Sequence, residues 1–85
     1  MNNNKILIEL YIPLIEKNYD LYIPINKKVG TVKKFIEKGL VELTGNAYKI
    51  KEDTNLYSKE TGNIYDVNET VRDTDLKNGS KVILI

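Results

Sequence analysis

The strongest constraint on the fold of this 85-residue chain is a change in the spacing of its apolar residues near Gly30. Over residues 5–12 and 20–25, apolar side chains fall on every second position, which is typical of half-buried β-strands. From Val32 to Leu43 they recur three and four residues apart, which is typical of one face of a helix. The chain is therefore predicted to start with two strands and to continue with one amphipathic helix.

The two N-terminal runs predict an antiparallel hairpin. Pro13 ends the first run, since proline has no amide hydrogen to give to a sheet, and residues 14–19 supply the turn. Pro24 lies on the outward side of the second run, so we expect that strand at an edge of the sheet.

The predicted helix follows Thr31, its N-cap, and ends near Gly45. The Thr31 hydroxyl can cap a free helix amide, and Gly45 suits the left-handed conformation that follows many helices. The apolar side is expected to consist of Val32, Phe35, Ile36, Leu40 and Leu43. The solvent side is expected to consist of Lys33, Lys34, Glu37, Lys38 and Glu42.

The C-terminal half predicts further short strands. Residues 47–51 alternate weakly, and residues 55–67 indicate two short strands around Gly62. Residues 69–79 form a polar connector. The final run, residues 81–85, has apolar residues at both odd and even positions, as expected of a central strand. We therefore place it beside the first strand.

This order of elements predicts an α+β fold of the β-grasp type. A mixed sheet of four or five strands carries one helix across one face, and the whole chain, 1–85, is expected to form one domain. The predicted core consists of Ile6, Ile8, Leu10, Ile12, Leu21, Ile23, Ile25, Val32, Ile36, Leu40, Leu43, Leu56, Val82 and Leu84. Tyr19, Tyr48 and Tyr65 are interpreted as packing or turn residues.

The composition argues against catalysis and metal binding. The chain has no cysteine and no histidine, which removes thiolate sites and the usual acid–base group at neutral pH. Ser58 and Ser80 each adjoin a lysine, but neighbouring side chains in a strand point to opposite faces, so turn or strand-end roles are expected. The acidic residues of 66–75 lack the spacing of a calcium loop. We therefore expect no enzymatic activity, no metal and no cofactor.

Charge and hydropathy restrict the partners and the location. Thirteen basic and twelve acidic residues give a net charge of +1, which argues against a dedicated nucleic-acid binder. The longest apolar stretch, residues 6–15, is about half of the ~20 residues that a membrane span needs. No targeting segment is evident, so a cytoplasmic protein is expected.

Three stretches of sequence carry a resemblance to a known family. They are ILIELYIPLIEKNYDLYIPI, VGTVKKFIEKGL and LYSKETGNIYDVNETVRDTDLKNGSKVILI. In the third, Thr70-Val71, Leu76, Asn78-Gly79 and Val82/Leu84 hold the places of the family's usual ending. The chain resembles ubiquitin-like proteins, and among them the small YukD/EsaB type associated with type VII secretion in Gram-positive bacteria. The likeness covers nearly the whole chain and rests on apolar and turn residues.

The C-terminus bears on the activity that this resemblance implies. Ubiquitin and the sulfur carriers ThiS and MoaD act through a flexible tail that ends in Gly-Gly. This sequence ends at Leu84-Ile85, inside the predicted last strand. As in YukD/EsaB-type proteins, we therefore expect neither conjugation nor sulfur carriage. The alternative is a carrier whose diglycine tail is absent from this sequence.

Alternation places a set of apolar side chains on the sheet face away from the helix. They are Leu7, Tyr11, Tyr22, Tyr57, Ile83 and Ile85. An apolar cluster on an open face is typical of a partner site. The resemblance implies the same, because ubiquitin is bound through this face, where Leu7, Tyr57 and Ile83/Ile85 hold the corresponding positions. The alternatives are that tyrosines simply suit strands, or that the patch serves self-association into a homo-oligomer.

A cluster of lysines surrounds the start of the predicted helix. It consists of Lys27, Lys28, Lys33 and Lys34. Cations there oppose the helix dipole by about 0.3–1 kcal/mol each, so helix stability does not explain them. They predict a basic patch for an acidic partner or, with less support, for nucleic acid or anionic lipid. The alternative is solubility together with local pairing to Glu37 and Glu42.

These observations predict a non-enzymatic protein-interaction module. By resemblance, it is expected to be an accessory or regulatory component of a type VII secretion system that docks through the open sheet face.

Overall fold

A computed structural model describes residues 4–85 and shows one helix packed on one face of a four-stranded mixed sheet. The strands are β1 (Lys5–Ile12), β2 (Lys17–Pro24), β3 (Leu56–Ser58) and β4 (Ser80–Leu84), and the helix is α1 (Val29–Leu43). Short 3-10 helices lie at Pro13–Ile15 and Val71–Asp73. The predicted α+β, β-grasp architecture is confirmed.

The order of strands in the sheet is β2-β1-β4-β3. β1 and β2 form the predicted antiparallel hairpin, and β2 is an edge strand, as Pro24 indicated. β4 lies parallel to β1, with Leu10 beside Val82, so the prediction that the last run pairs with the first is confirmed. The short strand β3 pairs antiparallel with β4 at the other edge.

The start of α1 differs from the prediction. The helix begins at Val29 rather than after Thr31, and the residue before it, Lys28, provides no side-chain cap. Instead, the amides of Val29 and Gly30 donate to the carbonyl oxygens of Glu69 and Val67, both at 2.9 Å. Backbone from the distant polar connector therefore satisfies the first helix amides, which removes the need for a capping hydroxyl.

The buried core confirms most of the predicted inward set. The fully buried apolar side chains are Ile8, Leu10, Ile12, Ile23, Val29, Val32, Ile36, Leu40, Tyr48, Leu56, Tyr65, Val71, Val82 and Leu84. Ile6, Leu21 and Ile25 are partly buried and pack against this core. Tyr48 and Tyr65 are packing residues, as interpreted from the sequence.

The buried side of α1 is rotated relative to the prediction. Leu43 and Phe35, expected to be apolar contacts, are 69% and 58% exposed, whereas Glu37, expected in solvent, is 3% exposed. Residues 44–55 pack against the Glu37 side of the helix. They bury that carboxylate and leave Leu43 and Phe35 uncovered on the opposite side.

The Glu37 carboxylate fastens this segment to the helix. It accepts hydrogen bonds from the Tyr48 hydroxyl at 2.7 Å and from the Thr54 hydroxyl at 3.3 Å. The Lys33 ammonium lies 3.4 Å from its other oxygen. Burial, and then the Glu37 carboxylate, raise the pKa of Tyr48 well above its ordinary value, which favours the neutral donor. These two hydrogen bonds and the ion pair compensate the burial of the carboxylate, which would be costly if it were unpaired.

Two short strands predicted in the C-terminal half do not form. Residues 47–51 contain no strand, because Tyr48 turns into the core toward Glu37. Within residues 55–67 only β3 is a strand. Ile64 makes a single bridge to Tyr57 after the turn at Gly62, whose φ is +76°.

Two glycines of α1 provide a matched test of the helix packing. Gly39→Ala is expected to raise the free energy of unfolding by about 0.5–1 kcal/mol, because the interior helix position has open space for a methyl group. Gly30→Ala is expected to gain less or to destabilise, since a Cβ there would lie 3.1 Å from the Val67 carbonyl oxygen. Urea denaturation of both variants measures the difference. Equal gains would contradict the close approach of the connector to the helix.

Tyr48→Phe tests the anchoring of residues 44–55. Removing a hydroxyl that donates to a buried carboxylate is expected to lower the free energy of unfolding by about 1.5–3 kcal/mol. Tyr22→Phe is the control, since that side chain is 67% exposed. Chemical denaturation measures both, and a Tyr48→Phe protein as stable as the control would show that this bond does not hold the segment.

Candidate interaction surface on the open sheet face

The face of the sheet opposite α1 is not covered by any helix within residues 4–85. The buried side chains of β1 and β4 point to α1, so their odd-numbered residues point to the open face. In β2 the even-numbered residues share this face, and in β3 Tyr57 does. The registers of the strand pairs then decide which side chains are neighbours.

An apolar row crosses the middle of this face. Tyr11 on β1 lies beside Ile83 on β4, and Ile83 lies opposite Tyr57 on β3. All three side chains are partly buried, which fits a packed surface layer rather than free side chains. Ile85 follows on the β4 side and is 61% exposed. We call these four residues the apolar row.

A shallow depression lies next to the apolar row. Its volume is about 300 Å³, and Pro13, Tyr57, Ile83, Ile85 and Lys59 are among its lining residues. The Lys59 ammonium is 5.8 Å from the centre of the Tyr11 ring, within the range of a cation–π contact. The depression gives the row a concave part that can receive a side chain of a partner.

The other two predicted site residues form a separate corner of the face. Leu7 and Tyr22 are directly opposite each other on β1 and β2, and Tyr22 is 67% exposed. The predicted set of six is therefore brought onto one face, but as a group of four and a group of two.

A line of charged residues separates the two groups. Asp20 lies opposite Glu9, and Glu9 lies beside Lys81. The Lys59 amide donates to the Lys81 carbonyl oxygen at 2.9 Å, which places Lys59 next in line. The order across the sheet is Asp20, Glu9, Lys81, Lys59, and we call these four residues the charged belt. Sequence reasoning missed it because the belt depends on registers that connect distant strands.

The predicted lysine cluster is not one free patch. Lys33 pairs with Glu37, and its side chain is only 13% exposed, so the local pairing considered from the sequence is present. Lys28 forms a backbone bridge to Thr70. The side chains of Lys27, Lys28 and Lys34 are the exposed members of the cluster.

The residues weighed for catalysis and metal binding serve as local backbone contacts. The Ser58 hydroxyl accepts from the Thr61 amide at 3.3 Å, and the Ser80 hydroxyl accepts from the Lys77 amide at 2.9 Å. The Asp66 carboxylate accepts from the Asn68 amide at 2.9 Å. Nowhere in the described part of the chain do three potential metal ligands come together. No helix between residues 4 and 85 has the length and apolar character to cross a membrane.

A second apolar surface, not predicted from the sequence, lies between α1 and β2. It is a groove of about 200 Å³, and its lining residues include Tyr19, Leu21, Phe35, Gly39 and Leu43. The sequence signal that could have indicated it is Gly39, which leaves a gap on this side of the helix. Phe35 and Leu43 are exposed because nothing in residues 4–85 covers that gap.

Comparison with solved structures identifies the fold as ubiquitin-like. The chain is similar to the ubiquitin of Caldiarchaeum subterraneum, with 18% identity, a TM-score of 0.67, and coverage of 95% of this chain and 91% of that one. It is also similar to the ubiquitin-like domain of an Arabidopsis thaliana protein, with 17% identity, a TM-score of 0.70, and coverage of 96% and 77%.

A third similar structure belongs to an inner membrane complex. The chain matches part of a chain in the MycP5-free ESX-5 inner membrane complex, with a TM-score of 0.78 and 9% identity. The match covers 96% of this chain but only 21% of that one. No protein-family model and no curated protein sequence matches this chain. The similarities therefore establish the ubiquitin-like β-grasp fold.

A buried phenol supports the strand that carries Tyr57. Burial, followed by the Asp75 carboxylate, raises the pKa of Tyr65 from 10.0 to about 12, while the Ser58 hydroxyl acts in the opposite direction. Tyr65 also joins β3 through its amide, which donates to the Leu56 carbonyl oxygen at 2.9 Å. Ionising this phenol in the folded protein is thus unfavourable.

This raised pKa predicts a specific loss of stability at high pH. The folded state favours the neutral phenol, so its contribution is complete below pH 10.0 and disappears as the pH rises to about 12. The stability difference between wild type and Tyr65→Phe is expected to change over that interval. Chemical denaturation of both proteins at several alkaline pH values measures it. A difference that stays constant from about pH 9 to pH 12 would contradict the buried position of this hydroxyl.

Proposed function

We propose that this protein is a non-enzymatic interaction module that docks onto a protein partner through the apolar row. The observation that supports this most directly is the alignment of Tyr11, Ile83 and Tyr57 across three strands of an uncovered face. Aromatic residues are enriched at protein interfaces because they bury a large area at a low cost in conformational entropy. Because the three residues lie on paired strands, the sheet presents them without a change of backbone conformation.

We further propose that the partner belongs to a type VII secretion system, in which this protein is an accessory or regulatory component in the cytoplasm. The sequence resemblance to YukD/EsaB-type proteins supports this. So does the similarity in fold to part of the ESX-5 inner membrane complex, at 9% identity. The whole chain, 1–85, would then act as one docking domain.

The structure favours the apolar row over the lysine cluster as the docking site. One of the four lysines is bound to a buried carboxylate, and of the three exposed lysines only Lys34 adjoins an aromatic residue in sequence. Surfaces that bind single-stranded nucleic acid usually combine a positively charged groove with aromatic side chains on which the bases stack. The apolar row, in contrast, has an adjoining depression and partly buried aromatic rings.

A capture experiment tests this proposal. The tagged protein is used to capture partners from native lysate, and the double variant Tyr57→Ala/Ile83→Lys is expected to lose at least one partner that the wild type retains. Ile50→Lys is the matched control, because Ile50 is 57% exposed but lies in the 44–55 segment away from the open face. Quantitative mass spectrometry identifies the captured proteins.

The secretion assignment predicts that a partner lost in this way is a component of the secretion machinery. Identical captured proteins for wild type and double variant would contradict docking through the apolar row. Loss of a partner unrelated to secretion would contradict the assignment to a secretion system but would support docking through the apolar row.

A further inference from the structure

The charged belt has an unusual order of charges across the sheet. Two carboxylates, Asp20 and Glu9, occupy β2 and β1, and two ammonium groups, Lys81 and Lys59, occupy β4 and the end of β3. The sign of the charge therefore reverses at the line between β1 and β4, which is the middle of the sheet.

Two of the three neighbouring pairs in this order oppose the stability of the isolated chain, and the third, Glu9 beside Lys81, is of opposite charge. Like charges directly opposite each other on neighbouring strands are destabilising, and the belt contains two such pairs, Asp20 with Glu9 and Lys59 with Lys81. None of the four forms an ion pair within 4.0 Å among residues 4–85, where Lys33–Glu37 is the pair that does. Lys59 instead lies over the Tyr11 ring. The belt thus presents two negative and two positive charges on the open face.

We propose that the open face also binds a second copy of this chain. In the proposed dimer, the two open faces are related by a twofold axis that is parallel to the strands and lies above the line between β1 and β4. Rotation about this axis places β1 of each copy over β4 of the other, and β2 over β3. Glu9 of each copy then lies over Lys81 of the other. Asp20 of each copy likewise lies over Lys59 of the other. The belt is self-complementary in charge for this one direction of the axis.

The apolar row fits the same arrangement. Tyr11 and Ile83 are on the two strands beside the axis, so Tyr11 of each copy lies over Ile83 of the other. A twofold axis across the strands would instead place Asp20 over Asp20 and Lys81 over Lys81, which is repulsive. Charge and apolar contacts therefore select the same pairing of the two sheets.

The dimer is expected to be weak and reversible. Four strands spaced about 4.8 Å apart give a face of roughly 15 Å by 20 Å, or ~300 Å² for each copy. A stable interface usually buries about 800 Å² per partner, so association is expected only at high concentration. This inference rests on the proposed use of the apolar row, and it implies that a different protein partner must compete with the second copy.

Charge reversal provides a test that does not depend on the unknown partner. Sedimentation equilibrium and NMR diffusion up to about 1 mM are expected to show a monomer–dimer equilibrium for the wild type. Glu9→Lys and Lys81→Glu each place like charges in contact and are expected to weaken dimerisation about tenfold or more. The double variant Glu9→Lys/Lys81→Glu restores opposite charges and is expected to recover dimerisation to within about threefold.

A mixture of the two single variants gives a further test. Each is expected to be monomeric alone, but one carries two cations and the other two anions at the contact, so the equimolar mixture is expected to associate. Glu52→Lys and Lys49→Glu are the matched controls, since they make the same charge changes at exposed positions of the 44–55 segment. Circular dichroism confirms that all variants fold.

Several outcomes would overturn the proposal. These are a wild type that stays monomeric at about 1 mM, single variants that dimerise as well as the controls, or a double variant that does not recover. None of these outcomes affects the capture of a heterologous partner through Tyr57 and Ile83. Conversely, a dimer with the expected charge dependence, found together with identical captured proteins, would show that the open face serves self-association and would contradict docking of a different protein there.

Discussion

The parallel pairing of β1 with β4 is the interaction on which the rest of this structure depends. Residues 8–11 lie beside residues 80–83, so the first and last strands of the described chain form the centre of the sheet. Parallel neighbours cannot be joined by a tight turn, and the intervening chain must cross one face of the sheet. Here α1 makes that crossing, which buries one face and leaves the opposite face open.

The same pairing creates the candidate surface. Because β4 lies between β1 and β3, Ile83 contacts the positions of both Tyr11 and Tyr57, and Lys81 stands between Glu9 and Lys59. Without β4 at the centre, neither the apolar row nor the charged belt would be continuous. The fold thus places the residues of the apolar row and the charged belt, which come from distant parts of the chain, on one sheet face.

The parts of the fold that could be predicted from sequence are those with local signals. The alternation of residues 5–12, the prolines at 13 and 24, and the apolar final run each predict a strand or its position without reference to distant residues. The start of α1 and the burial of Glu37 could not be predicted in this way. Both depend on contacts with segments that are distant in sequence, the connector at Val67 and Glu69 and the loop that carries Tyr48.

In the candidate site, too, some features follow from local sequence signals and others depend on contacts between distant segments. Period-two alternation correctly assigned all six predicted side chains to one face, but it could not show that Leu7 and Tyr22 are separated from the apolar row. That separation follows from the strand registers. The groove beside Phe35 was missed for a related reason, because the rotation of a helix on a sheet is decided by what packs on its other side.

Amide hydrogen exchange measured by NMR tests the central pairing most directly. The amides at the contact between β1 and β4, such as those of Tyr11 and Val82, are expected to exchange slowest, with opening free energies close to that of global unfolding. The amides of residues 49–53, which lie in an exposed loop, are expected to exchange much faster. If the amides of β4 exchanged as fast as those of this loop, the last strand would not be at the centre of the sheet, and the account of the open face would be wrong.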